Sequence, residues 1–230
     1  LGDLNMKTPP NIVEATMRAI QDGKTGYCPS EGILPLREAL ANDVGSRRGL
    51  TYGPDNVSIQ PGGKPTIGKF IAAIMNPGDE VLYPNPGYPI YESQIEYQGG
   101  NALPYGYVQT NTGFNIDIDF LKDCITDKTE AIIYNNYQNP ISAESSQQEM
   151  EAIAQLAIDN DLWVLADEAY HEMIYEGESR SIASIPGMQE RTVILYTFSK
   201  KYAMTGWRVG GAIGPEQVIR YISKLNVNAE

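Results

Sequence analysis

The stretch that decides the fold runs from Tyr196 to Gly210 and reads Y-T-F-S-K-K-Y-A-M-T-G-W-R-V-G. It begins at the end of an apolar run of β type, residues 192–196, and then breaks into small polar residues and a lysine, Lys200. A lysine at the mouth of a strand can be desolvated, and a desolvated lysine loses its proton more easily. A neutral amine there can form a Schiff base with an aldehyde cofactor. Taken alone, Lys200 fits a solvated surface turn equally well.

The polar residues around Lys200 suit a phosphate group. Thr197 and Ser199 supply hydroxyls, and Arg208 supplies a forked cation that can bind two phosphate oxygens at once. The alternative at this level is an arginine that is simply solvated. These residues alone leave both interpretations open.

The pattern T-F-S-K-x-x-x-M-T-G-W-R-x-G resembles the cofactor-lysine signature of the class I/II aminotransferases. These form the aspartate-aminotransferase-like branch of the fold type I enzymes that depend on pyridoxal 5'-phosphate (PLP). The resemblance implies that Lys200 holds PLP as an internal aldimine and then moves the α-proton of the substrate. It further implies transfer of an amino group between an amino acid and a 2-oxo acid, with Thr197, Ser199 and Arg208 around the cofactor phosphate.

Composition excludes several classes of function. The chain has 230 residues, 42% hydrophobic and 20% charged, which is enough for one large domain or two small ones. Its net charge of −12 argues against a nucleic-acid or anionic-membrane partner, and its apolar runs are too short for a membrane span. Cys28 and Cys124 lack C-x-x-C spacing and indicate free thiols in a reducing compartment. We therefore expect a cytoplasmic protein.

Strands and helices alternate along the chain. The predicted strands are residues 56–60, 79–83, 129–135, 162–166, 192–196 and 207–214. Thr8 is expected to cap a first helix that ends at Gly23, and Ser146 with Glu149 reads as a capping box. This order predicts an α/β fold, a mostly parallel sheet with helices on both faces (α/β/α). That architecture resembles the large domain of fold type I PLP-dependent transferases.

Several candidate residues follow strand ends, where ligands gather in such sheets. Gly63 and Lys64 open a helix after the first strand, and amides at a helix N-terminus bind phosphate well. The resemblance implies that this loop holds the PLP phosphate. Tyr88 is implied to stack on the pyridine ring, in a P-x-[aromatic]-x-x-Y pattern whose last residue, Tyr91, is expected to be an ordinary packing aromatic.

Two further strand ends carry polar residues. Asn139 lies in N-x-x-N-P, which resembles the segment that hydrogen-bonds the ring oxygen of PLP, although Ile141-Ser142 replaces the Thr-Gly of the family. Asp167-Glu-Ala-Tyr170 resembles the family pattern in which the aspartate keeps the ring nitrogen charged and the tyrosine binds the ring oxygen. A helix cap is the alternative for Asp167. His171 is the single histidine, so we expect no metal site.

The N-terminal part adds two candidates. The run from Tyr27 to Leu40 resembles a Y-x-x-x-x-G-x-x-x-L-R-E-A-L block, whose tyrosine reaches the phosphate in the neighbouring subunit of a homodimer. Gly2 matches a glycine that approaches the substrate carboxylate. The alternatives are a packed loop tyrosine for Tyr27 and a frayed terminus for Gly2.

The resemblance also divides the chain. Residues 1–24 are expected to form an N-terminal segment with the first helix, and residues 25–230 an incomplete PLP-binding large domain without the C-terminal small domain. The chain thus looks like a partial segment, with slow turnover or none, and its substrate amino acid is not readable. Three alternatives stay open: a PLP-dependent C–S lyase or related enzyme, a ligand-sensing regulator, and a fragment that binds PLP without turnover.

Overall fold

A computed structural model shows the fold of the protein and describes residues 3–111 and 113–229. Gly2, a predicted substrate contact, lies outside the described residues. The helices are α1 (Pro10–Gln21), α2 (Leu34–Arg48), α3 (Lys64–Ile74), α4 (Ile90–Tyr97), α5 (Ile118–Asp123), α6 (Gln147–Asp159), α7 (Phe198–Lys201) and α8 (Glu216–Ala229). The strands are β1 (Val57–Gln60), β2 (Glu80–Pro84), β3 (Asn101–Tyr105), β4 (Tyr107–Thr110), β5 (Gly113–Ile116), β6 (Thr129–Asn135), β7 (Trp163–Asp167), β8 (Thr192–Thr197) and β9 (Gly210–Ile213).

The main sheet has seven strands in the order β1-β9-β8-β7-β6-β2-β3. The strands β3, β2, β6, β7 and β8 are parallel to one another, and β9 runs antiparallel to both of its neighbours. The strands β4 and β5 form a separate antiparallel pair. The prediction of a mostly parallel sheet is confirmed.

Two apolar layers cover the two faces of this sheet. On one face α2, α5 and α6 pack against alternate strand residues such as Val164 and Ala166. On the other face α3, α4 and α8 pack against the residues between them, such as Leu165. Successive side chains of a strand point to opposite faces, so each central strand supplies both cores. The prediction of helices on both faces is confirmed.

Most predicted strands lie where the apolar runs placed them, and β6 has the predicted bounds. The strand predicted at residues 207–214 is shorter than expected. Residues Thr205–Trp207 form a 3-10 turn, and Arg208 follows with a left-handed φ of 52°, so the chain becomes extended only at Gly210. Left-handed backbone cannot continue a strand.

The two predicted side-chain caps of helices have different outcomes. The capping box is confirmed, since the Ser146 hydroxyl accepts from the Glu149 amide at 3.2 Å and the Glu149 carboxylate accepts from the Ser146 amide at 2.9 Å. The capping role of Thr8 is wrong. Its hydroxyl donates to the Ala203 carbonyl at 2.7 Å, and α1 begins after Pro9 without a side-chain cap. Thr8 therefore ties the N-terminal segment to the loop after α7.

The first helix lies on the surface. None of its residues is buried, and its apolar side chains are open to solvent, with Met17 56% and Ile20 59% exposed. Within residues 3–111 and 113–229, no helix is long and apolar enough to cross a membrane.

Parallel pairing decides where functional groups can meet. The C-terminal ends of β2, β6, β7 and β8 lie at one edge of the sheet, and β1 ends at the same edge because it runs in the same direction. The loops and helix N-termini that follow these strands therefore converge.

Candidate active site

A cavity of about 510 Å³ opens at this edge of the sheet. It collects the ends of β1, β2, β6, β7 and β8. Ten of the predicted site residues line it: Gly63, Lys64, Tyr88, Asn139, Asp167, Tyr170, Thr197, Ser199, Lys200 and Arg208.

Asp167 is the last residue of β7 and is 6% exposed. Its Oδ2 accepts a hydrogen bond from the Tyr91 hydroxyl at 2.6 Å, and its Oδ1 accepts from the Ala169 amide at 3.1 Å. Burial raises the pKa of this carboxyl, while the two hydrogen bonds oppose that shift. The charge of a buried carboxylate costs free energy, and a cation bound in the cavity would reduce that cost.

Lys200 lies in α7, directly after β8, and lines the same cavity. Its Nζ is 5.9 Å from the centroid of the Tyr170 ring. The next lysine has a different environment, since Lys201 Nζ binds Asp43 at 3.0 Å and Glu172 at 2.8 Å. Burial lowers the pKa of Lys201, but the two carboxylates raise this pKa by more than burial lowers it. The side chain of Lys201 therefore stays protonated. Of the adjacent lysines, Lys200 is the one at the cavity.

One end of the cavity gathers groups that bind anions. The helix α3 begins there at Lys64, with buried Gly63 as its N-cap. A side chain at Gly63 would press on Leu195, since its Cβ would lie 2.8 Å from Leu195 Cδ2. Gly62 has φ +100°, and a Cβ there would collide with the Arg208 guanidinium. Glycine at position 63 therefore lets the backbone pack against Leu195, and glycine at position 62 lets the backbone approach the Arg208 guanidinium.

Hydroxyls complete this end of the cavity. Thr197 ends β8, and its Oγ1 accepts from the Ser199 amide at 3.2 Å, which caps the short helix α7. The Ser199 residue is itself buried. The Arg208 guanidinium donates to the Thr205 carbonyl at 2.8 Å and keeps further N–H groups for a ligand.

Aromatic and amide groups form the walls. Tyr88 packs edge-on against Tyr91, with ring centroids 5.7 Å apart. Asn139 lies in the loop after β6, and its backbone amide donates to Asn135 Oδ1 at 3.1 Å. Burial raises the pKa of Tyr170, so its hydroxyl remains a hydrogen-bond donor at neutral pH.

Tyr27 does not join this cavity. It lies in a surface loop, and its side chain is fully exposed. The structure therefore brings the predicted cofactor residues together with the exception of Tyr27.

Tyr91, Asn135 and Asp3 also line the cavity and were not among the predicted site residues. Tyr91 was expected to be an ordinary packing aromatic, and this is wrong in one respect, because its buried hydroxyl binds Asp167. No local pattern signalled this bond, because Asp167 lies far away along the chain. Asn135 donates to the Asp167 carbonyl at 2.9 Å, and Asp3 accepts from the Thr205 hydroxyl at 2.7 Å.

Glu168, the residue after Asp167, does not line the cavity. Its carboxylate forms a buried ion pair with Arg48, with a hydrogen bond of 2.7 Å from Arg48 Nε, and also accepts from Ser181. Among residues 3–111 and 113–229, no three His, Cys, Asp or Glu residues are grouped as metal ligands would be.

Comparison with known proteins places this fold and cavity in context. The family model for class I and II aminotransferases matches residues 1–228. The chain is 35% identical over 227 residues to an aspartate/prephenate aminotransferase of Thermus thermophilus, covering 98% of the chain and 58% of that protein. It is 34% identical over 225 residues to an arginine–pyruvate transaminase of Pseudomonas aeruginosa, covering 98% of the chain and 57% of that protein.

Solved structures give the same picture. An aromatic aminotransferase from Pyrococcus horikoshii superposes with a TM-score of 0.96 at 33% identity, covering 100% of the chain and 62% of that structure. An aspartate aminotransferase from Thermus thermophilus with maleate superposes with a TM-score of 0.95 at 34% identity. The match covers 100% of the chain and 59% of that structure. The chain therefore spans less than two thirds of the length of these relatives.

Proposed function

Because this chain belongs to the class I and II aminotransferase family, we propose that its cavity binds PLP and serves amino-group transfer between an amino acid and a 2-oxo acid. One observation carries the proposal: the buried Asp167 carboxylate and Lys200 line a single cavity with an anion-binding end. A carboxylate, an amine and a phosphate cradle are the three groups that PLP needs from a protein.

The residues present fit this cofactor. When bound, PLP supplies an aldehyde that condenses with amines and a protonated ring that withdraws electrons from bonds at the amine-bearing carbon. Asp167 would face the ring nitrogen and keep its proton in place. Since burial raises the pKa of Asp167, a cationic ring partner would relieve the cost of its buried charge.

The phosphate would lie at the N-terminus of α3. Gly63 and Lys64 would bind it through the helix N-terminus, and Thr197, Ser199 and Arg208 through hydroxyl and guanidinium groups. The close approach of Gly62 to the Arg208 guanidinium supports this assignment, because it places the cation next to the helix N-terminus.

The ring would be held from its face and from its oxygen. Tyr88 would lie against the ring face, and Asn139 and Tyr170 would donate hydrogen bonds to the ring oxygen. These groups come from three different strand ends, so the ring would be fixed in one orientation.

Lys200 would perform the proton transfer. Its Nζ would hold the cofactor in the cavity and, as an amine, would be the base that takes the proton from the substrate α-carbon. Lys201 cannot substitute, since Asp43 and Glu172 hold its ammonium group away from the cavity.

A homodimer is part of the proposal. Tyr27 is fully exposed and lies outside the cavity of its own chain, as expected for a residue that contributes to a neighbouring subunit. A two-fold symmetric dimer would let each chain supply Tyr27 to its partner's phosphate end.

Domain division and location remain proposals. Residues 1–24 would form a separate N-terminal segment, which the absence of buried residues in α1 supports. A cytoplasmic location is supported by Cys28 and Cys124, which are both free thiols.

The test is a set of half-reactions. The protein is loaded with PLP and mixed with single amino acids, and absorption and products are followed. The proposal expects release of a 2-oxo acid without free ammonia, and recovery of the starting spectrum with 2-oxoglutarate. Ammonia release would favour a lyase, and failure to bind PLP would reject the proposed function.

A further inference from the structure

We propose that Asn135 is a positioning residue that fixes Asn139 and Asp167 relative to each other across two neighbouring strand ends. The inference rests on the proposed function, because it concerns two residues that would hold the ring of PLP. Asn135 would act through these residues, by holding the backbone of each.

The sheet register places Asn135 at the right point. It is the last residue of β6 and pairs with Asp167, the last residue of β7. It is 4% exposed and lines the cavity wall. The side chain therefore sits between the loop that carries Asn139 and the turn that carries Asp167.

Both ends of its amide are used. Nδ2 donates to the Asp167 carbonyl at 2.9 Å, and Oδ1 accepts from the Asn139 backbone amide at 3.1 Å. One rigid planar group thus spans the two loops. Only a carboxamide offers a donor and an acceptor in this geometry, so Asp, Ser or Leu would each lose at least one of the two bonds.

The loop after β6 needs such a support. Tyr137 has a left-handed φ of 55°, a conformation that non-glycine residues adopt rarely and that the surroundings must hold. Gln138 ties the next residues by donating to the Pro86 carbonyl and accepting from the Ile141 amide at 3.0 Å. Asn139 itself is linked to the sheet through Asn135.

The neighbouring residue provides a matched control. Asn136 is also an asparagine and is 2% exposed. Its Oδ1 accepts from the Ser145 amide at 3.0 Å, and its Nδ2 donates to the Arg180 carbonyl. Neither partner of Asn136 lines the cavity.

The experiment compares Asn135→Ala, Asn136→Ala and the unmodified chain. Three quantities are measured: the Kd for PLP by fluorescence, the midpoint of the pH titration of the bound cofactor's absorption, and the melting temperature of the apoprotein. Both variants should melt at lower temperature, because each loses two hydrogen bonds, one of them buried. Only Asn135→Ala should raise the Kd for PLP, by about tenfold or more.

The absorption midpoint separates positioning from mere stability. A displaced Asn139 would no longer donate to the ring oxygen, which disfavours the deprotonated form of the bound cofactor. The midpoint should therefore rise in Asn135→Ala and stay unchanged in Asn136→Ala. If Asn135→Ala does not fold, Asn135→Leu replaces it, since it keeps the approximate shape, adds no charge and loses both hydrogen bonds.

Each outcome decides the matter. If the unmodified chain binds no PLP, the proposed function is wrong and this inference falls with it. If the unmodified chain binds PLP and the Asn135 variant binds it equally well with the same midpoint, the inference alone is overturned. Equal loss of affinity in Asn135→Ala and Asn136→Ala would also overturn it, since the effect would then be general destabilisation.

Discussion

The Tyr91 hydroxyl donates a hydrogen bond of 2.6 Å to Oδ2 of Asp167. Tyr91 is fully buried in α4, and burial together with the neighbouring carboxylate raises its pKa, so the phenol keeps its proton and remains a donor. The bond comes from the side of the sheet that α3 and α4 cover. It leaves the carboxylate of Asp167 directed into the cavity.

Replacing Tyr91 by Phe should weaken PLP binding by about tenfold or more, because the Asp167 carboxylate loses the donor that fixes its orientation, and a hydrogen bond to a charged group contributes about 1.5–3 kcal/mol. The Kd is measured by fluorescence quenching. Tyr105→Phe is the control, because Tyr105 is equally buried and donates to the Ile133 carbonyl at 2.9 Å, away from the cavity. A Tyr91→Phe protein that binds PLP as tightly as the Tyr105→Phe protein would contradict this role.

Asp167→Asn should make the apoprotein more stable at neutral pH. The pKa of Asp167 is raised in the folded state above 3.8, so the folded chain binds more protons between the two pKa values. Stability from this group is fully present below pH 3.8 and is lost as the pH rises through the folded-state pKa. At pH 7 the variant avoids that loss and should melt at a higher temperature than the parent.

Asp43 is the opposite case in the same melting experiment. The pKa of Asp43 is lowered, because hydrogen bonds from Arg47 and Lys201 outweigh its burial. Asp43→Asn should therefore reduce stability at pH 7. Below pH 3 the melting temperatures of the Asp167→Asn variant and the parent should converge, and a difference that persists there would show that the cause is not the charge.

Gly62→Ala should weaken the binding of PLP far more than that of pyridoxal, which lacks the phosphate. A Cβ at Gly62 would displace the Arg208 guanidinium from the N-terminus of α3. Gly78→Ala is the matched control, since Gly78 has a similar φ of +95° and open space around its Cβ. Both substitutions should cost stability through the strained φ. Equal PLP affinity in the two variants would show that Arg208 does not bind the phosphate.

Much of the fold could be predicted from local patterns. The centre of β6, residues 131–134, is an apolar run, and the turn residues that follow the strand mark its end. Asp167 follows such a run directly, so its place at a strand end was predictable. The cavity then follows from parallel pairing, which brings these ends to one edge.

Other features depend on contacts between distant parts of the chain. The role of Tyr91 comes from Asp167, far away in sequence, and the spacing of apolar residues carries no sign of it. Thr8 had the residue type and position of a helix cap, but the Ala203 carbonyl competes for its hydroxyl. The exposed pair β4 and β5 lies in a stretch for which no strand was predicted, since it has few buried residues to give it a period.

Assembly provides a fourth test. If Tyr27 contributes to a neighbouring subunit, sedimentation at micromolar concentration should show a dimer, and Tyr27→Phe should weaken PLP binding without changing the melting temperature of the apoprotein. The expectation of unchanged stability follows from the full exposure of this side chain. A monomer that binds PLP fully would show that Tyr27 has no such role.

The central claim concerns Lys200, and its rival is the adjacent Lys201. Lys200 lines the cavity with Asp167, whereas the Lys201 ammonium group binds Asp43 at 3.0 Å and Glu172 at 2.8 Å. An amine that reacts with an aldehyde must be unprotonated, and the paired carboxylates keep Lys201 charged. Lys201→Met should therefore retain covalent attachment of PLP, whereas Lys200→Ala should lose it.

Borohydride reduction of the PLP-loaded protein, followed by peptide mapping, tests this claim most directly. The account predicts that the reduced cofactor is attached to Lys200. Attachment to Lys201 or to Lys64 would contradict it.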